Sequence, residues 1–372
     1  MPRLVRYPVR TRCWIISTSR GKIMDWSKTR IEEKELAAPG ETESPGRRLT
    51  YVAAIREALE LALTRDENVF VMGQGVDDPV GMSGITLDLH KKYGADRVFD
   101  TPLSENALTG IAIGAALTGL RPVYMHQRPD FLLLAMDQIV NHAAKWSYMF
   151  GGYVRVPMVI WAVVGRGWGG AAQHTQAIQA LFNHVPGLRL VMPSTPGDAK
   201  GLLLSSIADN NPVIIIEHRW LFGQTGPVPE GLYTIPLGCG VNRKAGKDIT
   251  IVAVSYMVVE ALRAAQELQE RGIDAEVIDP RTLKPLDEEI ILNSVKKTGR
   301  LVIADTGWKT GGVGAEIAAL VAEKGFEYLK SPIRRVASLD IPTPASYALE
   351  AKFYPGKADI ISSCQEIMGK NL

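Results

Sequence analysis

The sequence predicts an α/β fold made of two α/β units in series, on three observations. Apolar runs such as 69–72, 156–164 and 213–216 do not alternate, so they read as strands covered on both faces. Helix-length segments separate them, the order in which crossover connections build a parallel sheet. A Gly- and Pro-rich stretch at 223–247 divides the chain, whose 372 residues suffice for two cores at about 100–200 residues per domain.

Residues 1–48 differ from the rest. Arg3, Arg6, Arg10, Arg12 and Arg20 precede the first acid, Asp25, and a polar tract containing Pro and Gly follows. A flexible, solvated arm is the reading; an Arg-, Ser- and Thr-rich, acid-poor start also suits a mitochondrial transit peptide, and translation from Met24 is a third account. From Leu49 the pattern gives a helix at 51–64, a strand at 69–72, a helix at 85–93, a short strand at 98–100 and a helix opening at Glu105. Strands at 122–125, 156–164, 188–192 and 213–217 follow, with helices at 131–150, 175–184 and 196–208. Beyond the Gly/Pro-rich stretch, strands at 249–255, 275–279, 301–305 and 333–338 alternate with helices at 258–271, 287–297 and 314–324. The division is an arm (1–48), a first unit (49–222), a linker (223–247) and a smaller second unit (248–372).

With 42 Lys and Arg against 40 Asp and Glu, nothing favours a polyanion, so no nucleic-acid partner is expected. Cys13, Cys239 and Cys364 lie far apart without CxxC or Cys/His spacing, which excludes a zinc motif or disulfide framework and suits a reducing, cytoplasmic setting, with the mitochondrial matrix as the alternative. No apolar run approaches the ~20 residues of a membrane helix, so a soluble protein is expected.

The chain is organised around residues 100–119, D-T-P-L-S-E-N-A-L-T-G-I-A-I-G-A-A-L-T-G. Thr101 can cap the helix with Pro102 at the first helical position, or Ser104 can cap it one turn later, and both schemes leave Glu105 at the positive end. No side chain from Asn106 to Gly119 ionises, and Ala112, Gly114, Ala115 and Ala116 admit another backbone, so a buried helix is expected. Glu105 is then either an acid stabilised by the helix dipole or a desolvated carboxyl that holds a proton near neutral pH. Spacing alone does not choose.

The string D-T-P-L-S-E before a Gly/Ala-rich helix, together with M-D-Q-I-V-N (136–141), A-Q-H-T-Q (172–176), D-A-K-G-L (198–202) and D-P-R-T (279–282), resembles the beta subunit of the thiamine-diphosphate 2-oxoacid dehydrogenases. The resemblance runs from about Leu49 to the C-terminus. It implies a parallel-sheet pyrimidine-binding domain followed by a transketolase C-terminal-like domain. That cofactor supplies carbanion chemistry while the protein supplies orientation and proton traffic, and the minimum equipment is one acid exchanging a proton with a pyrimidine ring nitrogen. The match gives Glu105 that role, makes His174 the active-site histidine, and places Leu103, Gln127 and Phe131 against the cofactor. It also implies a structural monovalent-cation site, such as K+, at Met158, Ser206, Ile207, Asp209 and Asn211; an ordinary capped turn is the alternative.

Some residues depart from the pattern. Met125 stands where the family usually has an acid and Trp161 where an arginine is common, and His126, Arg128 and Pro129 are unusual too. Altered substrate choice or a different acceptor is one reading, neutral packing the other. Gly165 to Gly170 fits G-x-G-x-x-G, but no acid follows about 20 residues on, so a mobile loop beside His174 is expected instead of a dinucleotide site. Gly311 to Gly314 reads as helix-sheet packing. No G-D-G followed by N-N exists to hold Mg2+ and a diphosphate, which implies an alpha-type partner supplying that half in an α2β2 assembly, with a lipoyl-bearing acyltransferase taking the product. The alternative is a split transketolase-like or acyloin-forming enzyme using a sugar or aldehyde acceptor.

Overall fold

The structure is a computed structural model that describes residues 47–165 and 169–369; the arm expected at 1–48 lies almost wholly outside them. The strands are β1 (Arg48–Thr50), β2 (Val69–Gly73), β3 (Val98–Asp100), β4 (Arg121–Met125), β5 (Val159–Val164), β6 (Arg189–Val191), β7 (Val213–His218), β8 (Thr225–Pro227), β9 (Val241–Lys244), β10 (Ile249–Ala253), β11 (Ala275–Asp279), β12 (Thr282–Lys284), β13 (Leu301–Trp308) and β14 (Arg334–Ser338). A seven-stranded sheet has the order β12-β6-β7-β5-β4-β2-β3, and a five-stranded sheet the order β14-β13-β10-β11-β9. Each is parallel except at one edge, where β12 and β9 run antiparallel to their neighbours.

The unbroken apolar strands are covered on both faces, as expected. Successive side chains point to opposite faces, so Met72, Tyr124, Ile160 and Ile214 enter one core while Val71, Met125, Trp161 and Ile215 enter the other. The second core is closed by helix Tyr51–Arg65, whose buried Ile55, Ala58, Leu59 and Ala62 recur at helical spacing, against helix Pro196–Ala208. Both start on a threonine cap: the Thr50 hydroxyl accepts from Ala53 N and that of Thr195 from Asp198 N, each at 3.2 Å. The first core is closed by helix Glu105–Leu117 and by the 129–149 segment. It continues into the second unit, where Val252, Ile278, Ile303 and Ile317 join it.

Several expectations are corrected. The single helix expected at 131–150 is an α-turn (Pro129–Leu132), a 3-10 turn (Leu133–Ala135), a π-turn segment (Asp137–Ala143) and an α-helix (Ala144–Met149). Periodicity cannot separate windings of 3.0, 3.6 and more than 4 residues over one or two turns. The 85–93 helix shrinks to Leu89–Tyr93 because Asp88 takes a left-handed φ of 63°, which short polar residues tolerate. The strand at 156–164 begins only at Val159, since Pro157 has no N–H to give. The stretch at 223–247 is more than a linker: β8 pairs with β1, and β9 with β11. Helices Tyr347–Phe353 and Lys357–Met368 go beyond the expected pattern. Helix Glu105–Leu117 is buried on one face only, with Ile111 at 61 % and Leu117 at 38 % exposure; its small uncharged surface admits another backbone, but this chain lays none there.

Where the units meet, a fully buried ion cluster replaces apolar packing. The Arg243 guanidinium donates to Asp198 and, at 2.8 Å, to Asp279. Arg281 Nε lies 3.0 Å from the other Asp198 oxygen, and the Ser194 hydroxyl donates to Asp279 at 2.5 Å. Against the burial that would raise it, Arg243 and Arg281 hold the Asp198 carboxyl below the usual range.

On the other side of β7, Glu217 has no such partner. It is fully buried, neither carboxyl oxygen has a hydrogen bond, and burial pushes its pKa up to about 8; the Trp161 indole beside it favours the charge only slightly. Unfolded, it ionises near its ordinary 4.5, so between these values the folded chain holds the extra proton and stability falls as pH rises. The slope reaches about 1.4 kcal/mol per pH unit. Glu217→Gln is expected to flatten it, and melting temperatures of the two proteins that fall in parallel across that window would contradict the assignment.

Candidate active site

The C-terminal ends of β2, β3 and β4 converge on Glu105, the edge where open parallel sheets bind ligands. β2 ends at Gly73, where an added Cβ would lie 2.2 Å from the Met125 carbonyl oxygen, so only glycine lets β2 and β4 close up there. Thr101 N donates to the Gly73 carbonyl at 3.2 Å and Gly75 N to the Asp100 carboxylate at 2.5 Å, which fixes where the helix begins. Of the two expected caps, Ser104 holds the position but its side chain makes no capping bond. Thr101, Pro102 and Leu103 precede it, and Leu103 is 80 % exposed on the rim.

Glu105 is 9 % exposed. The Gln74 carboxamide nitrogen lies 3.5 Å from its Oε1, and the Gln74 carbonyl accepts from Gln127 Nε2 at 2.8 Å. Below it on β4, the Tyr124 hydroxyl is buried with no hydrogen-bond partner, and its pKa is raised by burial and then by the Glu105 charge. The His126 ring lies 4.0 Å from that of Tyr124, centroid to centroid; its Nε2 is also partnerless, and burial pushes its pKa down to about 3. The imidazole is therefore neutral at physiological pH.

Across the cleft, Phe131 and His174 meet edge to face at 5.3 Å. The helix expected at 175–184 starts only at Gln179, because the Asp130 carboxylate takes Gln176 N at 3.3 Å and Gln176 Nε2 at 2.8 Å. That clamp holds the His174 segment off helical geometry, with His174 exposed. The chain thus brings Glu105, Gln127, Phe131 and His174 to one cleft, with Leu103 at its rim. Gln74, Tyr124 and the Asp130–Gln176 clamp were not singled out by sequence, although Gln74 directly follows an apolar strand, at the edge where ligands bind.

The five residues of the expected cation site surround the end of helix Pro196–Ala208. The Ile207 and Asp209 carbonyls accept from the Arg121 guanidinium at 2.9 and 3.1 Å, the Met158 carbonyl accepts from Val213 N at 3.0 Å, and the Ser206 hydroxyl donates to Leu202. Asn211 donates twice to the Asp209 carboxylate at 2.8 Å. An internal guanidinium thus already meets two of the carbonyls. Of the glycine-rich string at 165–170, only Gly165, Gly169 and Gly170 lie within the described residues.

A parallel-sheet domain with a buried acid at a helix mouth, facing partnerless polar atoms and an aromatic-histidine pair, defines a class of proton-exchanging cofactor sites. Residues 47–224 match the transketolase pyrimidine-binding domain and residues 238–360 the transketolase C-terminal domain. The chain is 44 % identical over 329 residues to the beta subunit of acetoin:2,6-dichlorophenolindophenol oxidoreductase from Bacillus subtilis, covering 85 % of this chain and 96 % of that one. It is 43 % identical over 319 residues to the pyruvate dehydrogenase E1 component subunit beta of Rickettsia felis, covering 86 % and 98 %. A solved split-gene transketolase, described as an inactive beta4 tetramer, superposes with a TM-score of 0.69 at 26 % identity, covering 87 % of this chain and 99 % of that one. The chain belongs to the beta-subunit family of thiamine-diphosphate-dependent 2-oxoacid dehydrogenases, built on the transketolase domain pair.

Proposed function

We propose that this chain is the pyrimidine-binding half of a thiamine-diphosphate-dependent enzyme that decarboxylates a 2-oxoacid and passes the acyl group to a lipoyl carrier. The observation that carries it is Glu105, buried beside the partnerless Tyr124 hydroxyl. Orphaned buried polar atoms beside an acid want a polar ligand, which an aminopyrimidine supplies. When bound, that cofactor supplies the carbanion chemistry.

Glu105 exchanges a proton with the pyrimidine ring nitrogen, and the Gln74 carboxamide restrains its rotamer. The ring face of Phe131 and the side chains of Leu103 and Gln127 orient the heterocycle. His174, exposed at the cleft, holds or delivers a proton at the substrate. Asp130 positions His174 through Gln176.

An alpha-type partner supplies the diphosphate and Mg2+ half and closes the cleft, in an α2β2 assembly. The exposed apolar side chains Leu103, Ile111, Leu133 and Leu134 support a covered face there, since scattered single residues would need no such account. Co-expression with an alpha chain carrying G-D-G and N-N, followed by assay on pyruvate and branched-chain 2-oxoacids with a lipoyl acceptor, tests this. Decarboxylation only by the pair is expected; an inactive assembled pair, or tight stoichiometric cofactor binding by this chain alone, would overturn it. The second reading, an aldehyde or sugar acceptor, is favoured by the unusual 125–129 segment and is separated by product analysis with and without the lipoyl acceptor.

A further inference from the structure

We propose that Arg128 and Arg219, with the Nε2–H of His218, form an anion subsite beside the Glu105 cleft that takes a carboxylate or phosphate on the distal end of the substrate or acceptor. This rests on the function proposed above and names its substrate class as one carrying a second anionic group.

The loop after β4 divides at consecutive residues, whose Cα atoms are about 3.8 Å apart. Gln127 turns to Gln74 and the Glu105 side, while Arg128 reaches along the sheet edge and donates Nη1 to the Gly165 carbonyl at 2.8 Å. Among the described residues no carboxylate lies within ion-pair distance of Arg128. The nearby Asp130 is engaged by Gln176. Burial and then the like charge of Arg219 lower the Arg128 pKa, and the attraction of Asp130 comes only after them. Two cations converging at a half-buried edge call for an anion between them.

His218 supplies an independent reason. It is fully buried against Gly165, where an added Cβ would stand 2.9 Å from its Nε2. Burial and then the Arg128 charge hold its pKa down at about 3, so the ring is neutral. Its Nδ1 accepts from Trp220 N at 3.3 Å, which leaves the ring hydrogen on Nε2, and Nε2 has no partner. A buried N–H without an acceptor costs about 1–3 kcal/mol; an anionic oxygen at this edge satisfies it. Tyr256 stacks on His218 at 4.9 Å and Trp220 meets Tyr354 at 5.2 Å, giving aromatic walls that exclude water and strengthen the pairing.

The test has two arms. In the first, the full chain without cofactor is titrated with succinate, and separately with inorganic phosphate, by calorimetry and tryptophan fluorescence. Saturable one-site binding is expected for at least one, weakened about tenfold or more by Arg128→Gln and by Arg219→Gln but not by the distant Arg334→Gln. Arg128→Lys, which keeps the charge but loses the fork, should bind with intermediate affinity, and circular dichroism checks that each variant is folded. Absence of saturable binding, or equal affinity in the Arg128 and Arg219 variants, overturns the subsite. In the second arm, the assembled pair is compared on a 2-oxoacid with a terminal carboxylate, an uncharged 2-oxoacid of equal length, and a phosphorylated aldehyde acceptor. Preference for the charged compound, and its loss in Arg219→Gln, identifies the anion's source; preference for the uncharged one overturns the proposal. An inactive pair whose beta chain still binds succinate or phosphate refutes the function and leaves the subsite standing.

Discussion

Glu105→Gln is expected to lower kcat of the assembled enzyme by about 10²–10⁴-fold, the range attributable to one positioned acid or base. The substitution keeps size and shape, so the helix start and the packing on Tyr124 survive; what is lost is the capacity to exchange a proton. Stability should hold or rise slightly, because a carboxyl only 9 % exposed gives way to a neutral amide. Steady-state kinetics and thermal melts of the pair measure both sides. Full activity in the variant would remove Glu105 from the chemistry, and a large fall in melting temperature would recast it as a structural acid.

Asp198→Ala should produce the largest loss of stability, about 3–5 kcal/mol, the cost of breaking a buried ion cluster from one side. Asp198 is 1 % exposed and accepts from Arg243 while facing Arg281. Its removal leaves two guanidiniums in the interior with Asp279 as the remaining acid of the cluster. Urea denaturation measures the loss, and a change below about 1 kcal/mol would mean that water or a local rearrangement replaces the carboxylate. Arg243→Met in the same background is expected to recover part of the loss, because a buried charge without its counter-ion is worse than an apolar side chain of similar volume.

Much of the site could be read in the sequence because its strings are local. D-T-P-L-S-E fixes Glu105 within one turn of a helix, and A-Q-H-T-Q places His174 in its loop. The unbroken apolar strands declared the parallel sheets for the same reason. What escaped was non-local. The bonds from Gln176 to Asp130 span 46 residues, and nothing in either neighbourhood announces them. Nor could residue types show that Tyr124, His126 and His218 are buried without partners, since that depends on what other strands fail to offer. The broken winding after Pro129 was hidden because a single turn is too short for its period to register.

β12 gives the ion cluster a companion. Its three residues come from beyond the second unit's central strands, yet they form the outermost ribbon of the first unit's sheet, against β6. Cut between the two matched domains, the amino-terminal piece would expose the amide groups of β6 as a sticky border inviting a neighbour's chain. The halves are therefore tenants of a shared wall: neither can be excised, swapped or hinged away without opening the other, and the cleft at Glu105 takes its rigidity from a segment that arrives last.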